Sequence, residues 1–151
     1  MNSNRIENTE FIKLIGKWKT EGRILATANN PEMKITGTDT YELILGGFYI
    51  LHKADLLMVN ENSQTFEIIG LNGTNGQATL EHYNNQGSSG KMTGNLKNGH
   101  FTINGGGLRF RGQFGNNEKQ LNGTWEKMTD HNKWVEFLQM NLTKTATDHN
   151  N

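Results

Sequence analysis

The sequence predicts an all-β fold, an antiparallel β-barrel of about ten strands with one short N-terminal helix. Three observations predict it. Short runs alternate apolar and polar residues with a period of two; Gly- and Asn-rich turns such as "NGTNG", "NNQGSSG", "KNG", "NGGG" and "GNNEK" separate those runs; and the single proline, Pro31, lies in "ANNPE", outside every run. Closing so many short strands on themselves removes the free edges on which they would otherwise aggregate.

The elements follow in order. "NTEFIKLIG" reads as the helix: Asn8 or Thr9 caps it, Phe11, Leu14 and Ile15 share a face, and Gly16 stops it. Residues 1–8 are expected to be disordered, 9–144 to form the barrel and 145–151 to form a disordered tail. In "LIGKWKTEGRI", Lys17, Lys19, Glu21 and Arg23 take one face, and Trp18, Thr20, Gly22 and Ile24 take the other. Trp18 then plugs one end of the barrel. "TYELIL" turns Tyr41, Leu43 and Leu45 inward, and "FYILHKADL" turns in Phe48, Ile50, His52, Ala54 and Leu56. Parity next groups Phe66, Ile68 and Gly70, then Ala78, Leu80 and His82, then Met92, Gly94 and Leu96. Later strands contribute Leu108, Phe110, Gly112 and Phe114, followed by Leu121, Gly123 and Trp125. The glycines on these faces have two compatible readings: they bend a curved sheet, or their missing side chains leave a cavity.

A chain of 151 residues suits one domain with its own core. Its 15 basic and 15 acidic residues balance, which offers no excess of positive charge to nucleic acid or to an anionic membrane surface. The start, "MNSNRIENTE", has no apolar secretion segment, and no stretch approaches the roughly 20 apolar residues that span a bilayer. A soluble cytoplasmic protein without membrane insertion is expected, as a monomer or homodimer. Three Asn-x-Ser/Thr triplets, at Asn72, Asn122 and Asn141, are then products of an Asn-rich composition. The absence of cysteine removes disulfides, thiolate metal sites and a Cys nucleophile.

"GKW", Gly16 to Trp18 after a short helix, resembles the Gly-x-Trp signature of the calycin superfamily, which includes lipocalins, fatty-acid-binding proteins and nitrobindins. The succession "LIGKWKTEG", "DTYELILGGFYILHKAD", "FEIIGLNG", "LRFRGQF", "LNGTWEKMTDHNKW" and "FLQMNLTK" is similar, over nearly the whole chain, to a bacterial domain-of-unknown-function family of lipocalin-like barrels. That family's pattern runs Gly-x-Trp, Tyr-Glu, Gly-Gly-Phe with a His four residues beyond the Phe, Arg-Phe-x-Gly and Trp-Glu. Trp18, Tyr41, Glu42, Gly46, Gly47, Phe48, His52, Arg109, Phe110, Gly112, Trp125 and Glu126 match it. The resemblance implies a lipocalin-like barrel.

Nitrobindins hold haem through a His near the chain end, but "WVEFLQMNLT" contains none, so no cofactor is expected; His52 and His82 are the substitute axial ligands. Fatty-acid-binding proteins hold a carboxylate partly through a last-strand Arg-x-Tyr, absent from "MNLTK". Arg109 and Arg111 are the available cations, although parity with Leu108 and Phe110 points both outward unless the strand carries a bulge, to pair with Glu126 or other surface acids. Catalytic motifs are missing: "QGSSGK" fails the spacing of a nucleophile elbow, "NGGGLRFRG" matches no dinucleotide or phosphate loop, and the histidines lack metal-ligand spacing. The expected function is binding of a small apolar or amphipathic molecule, with Trp18, Tyr41, Phe48, Ile50, His52, Leu80, His82 and Arg109 as ligand-binding residues. Two rivals are a filled barrel that contacts another protein, and an isomerase or hydrolase using His52 and Tyr41 as acid and base.

Overall fold

Alternation along the first strand sets the architecture: in β1 (Gly16–Ile24) Trp18 and Thr20 are fully buried while Lys17, Lys19 and Glu21 are exposed. The structure, a computed structural model, describes residues 5–73 and 75–146. Nine further strands follow among those residues: β2 (Met33–Ile44), β3 (Tyr49–Met58), β4 (Glu61–Leu71), β5 (Ala78–Asn84), β6 (Ser89–Lys97), β7 (His100–Gly105), β8 (Leu108–Gly115), β9 (Gln120–Met128) and β10 (Trp134–Ala146). Every strand pairs antiparallel with its chain neighbour, and β1 also pairs with β10, which closes the barrel. No helix among the described residues is long and apolar enough to cross a membrane.

The N-terminal segment, where one short helix is expected from sequence, forms two 3-10 turns, Ile6–Asn8 and Glu10–Leu14. Thr9 caps the second turn by accepting from the Phe11 amide. Ile6 is fully buried in the core cluster and β10 runs to Ala146, while the expectation for residues 1–4 lies outside the described residues. The predicted tail from residue 147 onward lies outside the described residues. The turns cap one end of the barrel. Ile6, Phe11 and Leu14 pack there with Trp18, whose indole Nε1 donates to the Leu14 carbonyl at 2.8 Å. From this end a run of rings extends inward, Phe11 to Phe101 to Phe110 to Trp125, with centroids 6.2, 5.9 and 5.3 Å apart.

Several face assignments need correction. In β4 the inward residues are Glu67, Ile69 and Leu71, and Phe66 is 54% exposed beneath the Lys53 ammonium. Apolar residues occur at both parities of "FEIIGL", and the register with β3 decides: Glu67 sits opposite inward His52. Gly70 consequently faces outward under the Tyr49 ring. Leu45, expected inside, is exposed on a 3-10 turn (Leu45–Gly47) with φ of 51°.

The inward glycines make room for neighbouring side chains. A Cβ on Gly112 or Gly123 would overlap the Phe110 ring, one on Gly94 would press on Leu80, and one on Gly22 would meet Met140. The missing volume is therefore largely taken up by the core.

Candidate functional site

Beyond the packed end, the interior opens into a cavity of about 360 Å³. Apolar groups make most of its wall, including Leu56, Met92, Ile103, Leu108, Phe110 and Trp125. A register shift between Glu136 and Leu138 lets two consecutive residues of β10, Phe137 and Leu138, border the same space.

One side of the wall is polar, and β-sheet register builds it. Tyr41 on β2 lies opposite His52 on β3, His52 opposite Glu67 on β4, and Glu67 opposite His82 on β5. The Tyr41 and His52 rings stack, with centroids 4.0 Å apart and planes 6° from parallel. Asp39, two residues before Tyr41 and on the same face, lies opposite Ala54, whose small side chain leaves the diagonal clear for the imidazole. His52 Nε2 lies 2.6 Å from Asp39 Oδ2, and His52 Nδ1 lies 2.9 Å from Glu67 Oε1. The hydroxyl of Thr20 on β1 donates to the remaining Asp39 oxygen. The chain of contacts thus crosses four adjacent strands.

Both imidazole nitrogens face a carboxylate oxygen, and only the imidazolium donates from both. Burial alone would lower the pKa of His52, but the hydrogen bonds and charges of Asp39 and Glu67 outweigh it and carry the value from 6.5 up to about 9. Burial first, and then the negative charges of Asp39 and Glu67, push the Tyr41 pKa well above its usual value, so it remains a phenol.

The predicted site residues divide accordingly. Tyr41, His52 and His82 border the cavity. Ile50 and Leu80 are fully buried and do not reach it, and Trp18 plugs the closed end. Phe48 ends the 3-10 turn before β3 in a helical conformation, which takes it off the strand's alternation, and it lies under the Arg5 guanidinium. Arg109 points outward, as its parity with Leu108 and Phe110 indicates. Its Nε donates to Glu126 Oε1 at 2.7 Å, Arg111 reaches the same oxygen at 3.0 Å, and its guanidinium lies over Trp134. Those contacts hold the Glu126 carboxyl below the usual carboxylate range, chiefly through the Arg109 hydrogen bond. Asp39 and Glu67 are the residues that sequence reasoning missed. Asp39 shared the parity of Tyr41, a usable signal; Glu67 was hidden by the wrong frame on β4.

Residues 6–144 match the family described as a protein of unknown function, DUF1579. The chain belongs to DUF1579. No curated protein matches the sequence. Among solved structures, Rv2717c from M. tuberculosis superposes on this DUF1579 chain with a TM-score of 0.66 at 10% identity, over 88% of this chain and 93% of the other. The S-type phycobiliprotein lyase CPES from Guillardia theta does so with a TM-score of 0.63 at 10% identity, over 89% and 90% respectively. What this chain shares with both structures is the fold, here a closed antiparallel barrel of ten strands among the described residues.

Proposed function

We propose that this protein binds a small, largely apolar molecule inside its barrel. The observation that carries this reading is the cavity of about 360 Å³, apolar over most of its wall and polar on one side. Ligand sites in proteins are commonly about 300–1,000 Å³ with a few polar groups that fix orientation. An apolar body entering this space leaves water at roughly 0.8 kcal/mol per CH₂, less the costs of association.

The open interior weighs against a barrel filled by its own side chains. An acid/base role for His52 and Tyr41 is disfavoured as well: His52 held between Asp39 and Glu67 has no free lone pair with which to abstract a proton. The same occupancy keeps His52 from presenting a nitrogen to haem iron.

Titration with N-phenyl-1-naphthylamine, whose emission rises in apolar surroundings, tests the reading. Saturable binding at one site per chain is the expected result. Emission that rises only linearly with probe would overturn it, and native mass spectrometry of freshly purified protein would identify any molecule carried along.

A further inference from the structure

We infer that the molecule held in this cavity carries a cationic nitrogen, an amine or amidine, at one end of an apolar body. This deepens the ligand-binding reading above and rests on it. Proton counting comes first. Asp39 and Glu67 flank His52, and satisfying both ring nitrogens takes either two carboxylates around an imidazolium or one carboxylate and one carboxylic acid around a neutral ring. Either arrangement leaves the trio with a net charge of −1.

Among the described residues, no Lys or Arg in the cavity wall compensates that charge. Arg109 and Arg111 are outside the barrel on Glu126, and no Lys or Arg borders the cavity. Among the described residues of the wall, His82 is the other titratable cation former.

Two acceptors remain for a guest. Glu67 spends one oxygen on His52, and its second has no hydrogen-bond partner among the described residues. Tyr41 is only 5% exposed, borders the cavity, and its hydroxyl likewise has no partner among the described residues. Neither oxygen is sealed off from the cavity, and an N–H donor carrying positive charge is a fitting partner for such acceptors. The aromatic residues Phe110 and Trp125 border the same space and suit a cation further. A carboxylate head, by contrast, would meet Glu67 and Asp39 with like charge and a phenol as its main donor.

Isothermal titration of the full chain with octylamine, octan-1-ol and octanoate separates these cases, because all three are eight-carbon chains that differ in the polar end. The expected order is octylamine at least tenfold tighter than octan-1-ol, with octanoate weakest. Glu67→Gln should erase the tenfold preference, and Tyr41→Phe, which keeps the ring stacked on His52, should reduce it; circular dichroism establishes that each variant is folded. Equal binding of the three, or a preference for octanoate, overturns this inference while the cavity reading stands. No heat of binding from any of them overturns both. If Glu67→Gln does not fold, the ranking on the unaltered chain still decides.

Discussion

His52 couples the site to the stability of the chain. Its pKa rises from 6.5 to about 9 on folding, so the folded state binds its proton more tightly. The resulting stabilisation is complete below pH 6.5 and is lost as pH rises through about 9; the shift corresponds to about 3 kcal/mol. Urea unfolding of wild type and His52→Gln at pH 6 and at pH 9.5 should show a stability gap that narrows at the higher pH. A gap that widens would mean that His52 is neutral in the folded chain. At the same scale, Gly123→Ala would drive a methyl into the Phe110 ring and should cost about 1–3 kcal/mol in the same assay. Parity made Tyr41 and His52 legible as an inward pair. Their carboxylate partners were less so, because an inward Asp and Glu depend on donors from other strands, His52 for both and Thr20 for Asp39 as well.

The N-terminal turn Glu10–Leu14 is an element pinned from a distance. Glu10 accepts from the backbone amides of Asn98, at 2.7 Å, and Gly99, at 3.1 Å, in the tight turn between β6 and β7, and it also pairs with Lys13. The Lys13 hydrogen bond first, together with those amides, lowers its pKa to about 2. Asn98 and Gly99 have φ of 53° and 79°, the left-handed pair that a two-residue hairpin needs, so the "NG" in "KNGH" fixes where those amides point. Glu10→Ala should destabilise the barrel by about 1–2 kcal/mol, and hydrogen exchange should quicken first in residues 6–14. Unchanged exchange there would show that apolar packing alone seats the turn. Strand number, closure and the plug by Trp18 could be read from alternation and turns. The frame of β4 could not, because Phe66, Ile68, Ile69 and Leu71 supply apolar groups to both faces. Nor could the irregularity in β10 that brings Phe137 and Leu138 to one cavity, since it depends on the offset of β9.

At the scale of the molecule, one half of the interior is packed and the other half is open. Ala54 borders the open half, and Ala54→Trp should fill it, abolishing saturable binding of N-phenyl-1-naphthylamine while the far-ultraviolet circular dichroism stays that of a β-barrel. Retained affinity would place the probe elsewhere. The pairing of β1 with β10, Lys17 opposite Ala146 at one extreme and Ile24 opposite Leu138 at the other, also governs how the chain comes into being. On the ribosome the first strand emerges long before its second partner exists, and its outer edge stays bare until the last strand is released. Every other hairpin can form in turn, yet the ring cannot shut before β10 has emerged. Closure therefore waits on β10, and a nascent chain stalled before residue 138 offers β1 to whatever strand it meets first.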